Sequence, residues 1–580
     1  MKNKILKTIP IIAALALFIG CSTKAPVVPK DIQKSDYTYL KEYMDWFIEK
    51  EMKDKDIVGL SIALVDDQKI VWQKGFGYAD KKQKSKATPT TKYRAGSISK
   101  VFNAMAVMKL VESGKMDIDK PLKTYLKEFS IKSRFGSTDG ITPRSIMTHH
   151  SGIPAGWVDG MFAKNPLPYT EHVHLIKDEY VAYPPNKIMS YSNLAMTLLG
   201  DAVEKVNGKK YSEFLKDSLL NPLGMVDSDF EMALSGREVS KAYSQGKETI
   251  EYPLGMIPAG ALNTTARDLS KLAMIVNNEG KLDGKTILEA DTLKEMFKVQ
   301  NENIPLDLGE KIGLGWFIND SVLQDEMVYG HDGATIAHRS SFLVAPKSKL
   351  GVVVLTNSDS ADSVKIADML LQKAWEAKTG KKLSHKKVFI STDSDFQGTY
   401  ATMLGKVDVA KKSNEHYIAK TALGNFGLKK QDNGTYTIKY LLFNFIPIGD
   451  SELDSIGLYT KEIDNEHLAI AQIKNYKFLV GTKVEPKPIS KAWRNRLGSY
   501  QILNQLKPKA FQIKELKLMI KNDFLILETT MLNGEKNPAI LQVINDTEAI
   551  MEGLGRGTRE TMRVENGVLV YSGLRFKIKL

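Results

Sequence analysis

Apolar residues recur at helical spacing over positions 36–52, where Tyr39, Tyr43, Trp46 and Phe47 fall on one side. Residues 57–75 switch to alternation around a turn at Asp66-Asp67, which predicts a strand hairpin. A long apolar-periodic helix follows over 97–113 and stops at Gly114. From there to about residue 340, helical stretches such as Leu194–Val206 alternate with loops rich in Gly, Pro and Asn. Two strands, Ser341–Ala345 and Gly351–Thr356, and a helix from Ala361 to Thr379 come next. Strands at both ends and helices between them predict an α+β fold whose terminal strands meet in one antiparallel sheet.

The pattern changes beyond the lysine-rich stretch Lys381-Lys382, Lys386-Lys387, which places a boundary near residue 390. Short β-rich runs are then separated by turns, with hairpin signals at Asn433-Gly434, Asn533-Gly534 and Asn566-Gly567. Phe396-Gln397-Gly398-Thr399-Tyr400 matches Arg496-Leu497-Gly498-Ser499-Tyr500 one hundred residues later. This weak repeat divides an all-β, barrel-like region at 395–580 into related units at 395–492 and 493–580. Tyr440, Phe443 and Phe445 read as barrel filling, and the glycines at 553, 555 and 557 as a hairpin, since they lack phosphate-loop spacing.

The N-terminus has a different character. Lys2, Lys4 and Lys7 precede an apolar run from Ile9 to Ile19, too short to span a bilayer. Leu17-Phe18-Ile19-Gly20-Cys21 resembles a bacterial lipobox, which implies a signal peptide at 1–20 and lipidation of Cys21. Residues 21–35 then read as a tether and 36–385 as the first globular domain. Ser22 after the lipidated position implies an exported protein anchored to the cell envelope, at the outer membrane facing the periplasm if the cell is Gram-negative. Cys21 is the single cysteine of 580 residues, so neither an internal disulfide nor a Cys-cluster metal site can form. With 43 % hydrophobic and 26 % charged residues, the composition excludes a mainly disordered chain and a polytopic membrane protein. Of the net charge of +13, residues 395–580 carry +7. No dense basic run with interleaved aromatics accompanies it, so nucleic-acid binding is not expected.

Three short motifs carry the candidate chemistry. In Ser97-Ile98-Ser99-Lys100, the serine follows Gly96 and opens a helix, where backbone N–H groups favour an anion. Lys100, three residues on, lies on the same face and, desolvated, can take the serine proton. The same spacing at Ser244/Lys247 and Ser384/Lys387 reads as a helix cap with a solvent-facing lysine. Tyr191-Ser192-Asn193 precedes the apolar helix; Tyr191 can relay a proton, and Asn193 can orient Lys100 or a substrate carbonyl. In His331-Asp332-Gly333, the glycine permits close approach of the backbone, and the next N–H, on Ala334, can join that of Ser97 as an oxyanion hole. His172 and His174 would share a strand face but lack a third ligand, so no metal is expected, and no cofactor is called for. His149 reads as a loop-packing residue.

Together and in this order, these motifs resemble the serine β-lactamase-like superfamily, in its branch of class C β-lactamases, D,D-peptidases, D-aminopeptidases and esterases. Met147 to Pro154, Pro258-Ala259-Gly260 through Leu269, and Gly313-Leu314-Gly315-Trp316 resemble further family signatures. The resemblance covers about residues 36–380. It implies Ser97 as nucleophile, Lys100 and Tyr191 sharing base duty, Ala334 completing the oxyanion hole, and Asn193, His331 and Gly333 on the substrate. The third motif departs from the K-[TS]-G usual in these β-lactamases. A neutral His331 holds a substrate carboxylate poorly, which favours an ester or amide substrate of peptidase or esterase type. The alternatives are a β-lactamase and a penicillin-recognising or peptidoglycan-binding lipoprotein with little turnover. The β region resembles the lipocalin-like extensions of some family peptidases. The expected partners are a small-molecule or peptide substrate and a membrane, with the oligomeric state open.

Overall fold

The alternation at 57–75 becomes two strands, Gly59–Asp66 and Lys69–Asp80, in a computed structural model that describes residues 24–29, 33–384, 394–413, 415–442, 446–448, 456–473, 476–504, 512–532 and 534–579. The lipobox with Cys21, the boundary near 390, and Phe443 and Phe445 lie outside the described residues. The first strand pairs with the last strand of the domain, Leu350–Thr356, in the register Leu60↔Thr356 to Asp66↔Leu350. Glu326–Ala334 and Arg339–Ala345 extend the same antiparallel sheet, so the two ends of the domain meet in one layer as expected.

Strand periodicity sends alternate residues to opposite faces. Leu60, Ile62 and Leu64 pack with Val352 and Val354 against helices Thr38–Asp54 and Ser363–Thr379. Ala63, Val65, Val353 and Leu355 face the other way, into the core shared with helices Ser99–Glu112 and Ala266–Asn277. Helix Ser99–Glu112 buries residues all round, because other helices, Asn193–Asn207 and Ile257–Gly260 foremost, surround it within the shared core.

Two sequence readings are corrected. Residues 172–175 form a short helix, not a strand, and His172 is buried with its Nδ1 donating to the Tyr169 carbonyl. Ser244 and Lys247 face each other across a two-stranded hairpin rather than capping a helix. Gln245 and Gly246 at its turn adopt positive φ, which a helix would not allow.

The C-terminal region closes twice. In the first barrel, Gly398–Thr402 pairs with Tyr476–Val484, and Gly424–Lys430 with Tyr436–Leu442, which completes the ring. Phe396, Tyr400, Tyr417 and Tyr436 fill it. In the second, Gly498–Ile502 pairs with Leu574–Ile578 around a core that includes Trp493, Leu518 and Phe576.

Both barrels dock on the first domain. Tyr459, Leu468 and Ile470 of the first barrel pack on Ala182, Tyr183 and Leu306. From the second, Arg563 reaches Glu179 at 2.6 Å with both side chains largely buried, and Glu548 pairs with Arg134 at 2.9 Å. Removing Arg563 strands the Glu179 carboxyl, whose affinity for a proton burial already raises. Arg563→Ala is expected to cost about 3 kcal/mol in denaturant unfolding of the docked unit. A loss under about 1 kcal/mol would show that the pair does not hold the interface.

Candidate active site

Ser97 follows a glycine because the backbone there must turn sharply. Gly96 takes φ +53°, and a Cβ on it would stand 2.8 Å from the Ala334 nitrogen. The N-terminal turn of helix Ser99–Glu112 is therefore pressed against the end of strand Glu326–Ala334. Gly333 is constrained from the other side, since its Cβ would meet the Ala95 oxygen at 2.0 Å and Ser340 Oγ at 2.4 Å. Gly333→Ala is thus expected to push Ala334 away from Ser97. The expected result is a fall in kcat/KM of at least about tenfold with an unchanged circular dichroism spectrum.

Ser97 is partly exposed and Lys100 is fully buried beneath it. Lys100 Nζ lies 3.0 Å from Ser97 Oγ and donates to the Ala259 carbonyl at 2.6 Å. Burial, and then the charge of Arg556, hold the Lys100 amine well below the ordinary lysine range. It can therefore stay neutral and accept a proton. The Tyr191 hydroxyl is hydrogen-bonded to Ser97, and its ring lies 4.9 Å from Lys100 Nζ. Burial raises the Tyr191 pKa, while Ser97 and Arg556 pull it down in part. Tyr191 so keeps its proton more readily than Lys100 does, and of the two the lysine is the one free to accept a proton.

The Tyr191 corner is held from several directions. His149 packs against its ring with the centroids 4.2 Å apart and the planes tilted by 40°, and His149 Nδ1 accepts from the Ser192 N–H. Burial, followed by the charge of Lys100, keeps His149 uncharged. Ser192 Oγ caps the following helix by accepting from Ala195 N, and itself donates to the Pro154 carbonyl. Asn193 N donates to the Ala155 carbonyl, which leaves its side chain in the wall of the cleft. The hydrogen-bond partners found for Lys100 among the described residues are Ser97 and Ala259, so the carbonyl of Ala259 takes the orienting place considered for Asn193.

His331 lines the cleft edge-on to Phe317, with Nδ1 donating to its neighbour's carbonyl at Asp332. Burial, then Lys100, push it down to about 3, so it carries no charge at neutral pH. Asp332 accepts from Ser341 Oγ. The structure thus brings Ser97, Lys100, Tyr191, Asn193, His331, Gly333 and Ala334 together around one cleft of about 830 Å³, with Lys100 beneath its floor.

Two contributors escaped the sequence reading. Ala259 lies in a segment noted as a family signature, without an assigned role. Arg556 comes from the loop read as a hairpin of the second barrel, and its guanidinium stands 4.9 Å from the Tyr191 ring centroid. No spacing rule connects residue 556 to residue 97; only the docking of the barrel does so.

Comparison with known proteins agrees with this geometry. The Beta-lactamase family pattern matches residues 44–374. Protein flp of Staphylococcus aureus is 27 % identical over 342 residues, which cover 57 % of this chain and 66 % of that protein. Putative beta-lactamase-like 1 of Homo sapiens is 25 % identical over 326 residues, 54 % of this chain and 64 % of its own length. The chain thus spans slightly less than two thirds of these relatives. Among solved structures, the octameric penicillin-binding protein homologue from Pyrococcus abyssi superposes with a TM-score of 0.53 at 26 % identity, covering 75 % of this chain and 99 % of that one. SurE with D-Leu shares the fold with a TM-score of 0.54 at 20 % identity, over 76 % and 98 %. With the family pattern spanning more than half of its length and the motif residues converging on one cleft, this chain belongs to the beta-lactamase family.

Proposed function

We propose that this chain is a serine hydrolase that cleaves an ester or amide through an acyl-enzyme on Ser97, and that a lipid on Cys21 tethers it to the cell envelope. The observation that carries the chemistry is a buried Lys100 amine 3.0 Å from the Ser97 hydroxyl, held by the Ala259 carbonyl.

Ser97 Oγ attacks the substrate carbonyl and its proton passes to Lys100 Nζ. The N–H groups of Ser97 and Ala334 receive the charge that develops on the carbonyl oxygen. As the tetrahedral intermediate collapses, the Tyr191 hydroxyl gives its proton to the leaving group and recovers one from Lys100. A water then attacks the acyl-enzyme, with the same groups taking its proton and returning one to Ser97. The neutral His331 contributes shape and an edge for the substrate, not charge.

The test is intact-mass spectrometry of the protein after incubation with a fluorophosphonate and, separately, with a penicillin. A fluorophosphonate adduct mapped to Ser97 supports the activated nucleophile. A long-lived penicillin adduct in addition supports a peptidase-like site. A fluorophosphonate adduct alone supports an esterase or aminopeptidase, and the absence of both adducts counts against the reading.

A further inference from the structure

The cleft holds a cation that the catalytic domain does not supply. Arg556 sits in Gly553-Leu554-Gly555-Arg556-Gly557, which links strands Glu548–Met551 and Thr561–Glu565 of the second barrel. Its side chain lines the same cleft as Ser97 and Asn193. Gly553, Gly555 and Gly557 adopt φ of 118°, 96° and 75°, a path that residues with a Cβ rarely follow. The three glycines alternate with Leu554 and Arg556, so the backbone can bring one charged side chain against the catalytic tyrosine without bulk beside it.

The arm is held at several points. Tyr183 Oη donates to the Gly555 carbonyl at 3.2 Å and lies 2.6 Å from Thr558 Oγ1. The Ala155 N–H donates to Glu560 Oε1 at 2.7 Å, and the carbonyl of the same Ala155 accepts from the Asn193 N–H at 2.8 Å. Arg559 donates to Glu466 of the first barrel at 2.6 Å. Arg556 is therefore placed by contacts with the catalytic domain on one side and the first barrel on the other, which limits the ordering that ligand binding must still impose.

Charge is distributed unevenly along the cleft. Arg339 also lines it, but its Nη1 donates to the Thr335 and His338 carbonyls at 2.9 Å each, and the carboxyl groups of Asp332, Asp359 and Asp362 line the cleft as well. His331 is uncharged. Lys100 is buried and bound to Ser97 and Ala259. Among the described residues, no carboxylate is within ion-pair distance of Arg556; its guanidinium lies over the face of Tyr191, and its charge is also felt by the buried Glu560. Arg556 remains as an exposed guanidinium in the cleft that Ser97 lines, and the third motif of that cleft lacks the lysine of K-[TS]-G.

We propose that Arg556, delivered into the catalytic cleft by the second barrel, binds a free carboxylate of the substrate, so that the preferred acyl donors are peptides or depsipeptides with an unblocked C-terminus. This rests on the Ser97 reading above. A guanidinium presents paired N–H groups that match a carboxylate in a fork, and the charge-assisted bonds would fix the scissile carbonyl relative to Ser97. The bound carboxylate would also offset the positive charge of Arg556 felt by Lys100, so that binding the correct substrate strengthens the base.

The test compares Ser97 labelling by two fluorophosphonates of one length, one ending in a carboxylate and the other in its methyl ester, on the full mature chain. Labelling rates are read by intact mass for the wild type, Arg556→Ala and Arg556→Lys. The ratio of the two rates is the readout, because loss of Arg556 also alters Lys100 and so affects both probes together. The wild type is expected to favour the carboxylate probe by about tenfold or more. The ratio should fall to about one in Arg556→Ala and be partly restored in Arg556→Lys. A wild-type ratio near one, or a preference that survives Arg556→Ala, overturns the assignment while leaving the Ser97 reading intact. Failure of both probes to label Ser97 overturns the Ser97 reading and this assignment with it.

Discussion

Replacing Ser97 with alanine is expected to abolish acylation by a fluorophosphonate and to lower any ester or amide turnover by about 10³-fold or more. The fold should survive, because Ser97 is partly exposed and, among the described residues, its side chain joins Lys100 and Tyr191 at the cleft. Lys100 and Ala334 would remain in place, but neither can form the covalent bond. The measurement is intact mass after labelling, paired with thermal unfolding of the same preparation. An adduct of equal yield in the variant would place the nucleophile elsewhere in the cleft and remove the basis of the mechanism.

Lys100→Met is the second large effect. Methionine has a similar length and no proton to move, so the attack on the carbonyl would lose its base. A fall in kcat/KM of about 10³-fold is expected. The pH profile separates this from simple disruption. Burial, then Arg556, hold Lys100 well below the usual lysine range. The protonated form is inactive as a base, so the wild-type rate should rise with pH as Lys100 loses its proton, along a limb far below the ordinary lysine titration. That limb should disappear in Lys100→Met. An unchanged limb would assign base duty to another group, with Tyr191 next in reach through its hydrogen bond to Ser97. The burial that lowers the Lys100 pKa raises that of Tyr191, which is why the first place goes to the lysine.

Much of this site was legible along the chain because its parts are local. Ser97 and Lys100 are three residues apart at the start of a helix, and the helix period alone sets them side by side. Tyr191, Ser192 and Asn193 stand at a helix start as a capping serine would predict, and Ser192 does cap it. The alternation at 57–75 and the apolar runs near 341–356 are strand signals strong enough to survive any tertiary context. The four residues around His172 and His174 carry too little periodicity to distinguish strand from helix, and the structure makes them a helix. The Ser244/Lys247 spacing was misread because a hairpin can generate the same interval as a helical turn.

Hydrophobic period and motif spacing act over a few residues, so the chain read as a string already carries the class of fold, the change to an all-β region and the Ser97, Lys100 and Tyr191 motifs. The electrostatics of the cleft depend on the folded chain. Whether Lys100 is charged depends on how deeply the helix and the Ala259 segment bury it, and whether His331 is charged depends on the packing around it. Arg556, a guanidinium of the cleft, comes from more than 450 residues beyond the nucleophile. Burial and charge proximity are sums over whatever the folded chain brings near, and no interval along the sequence records them.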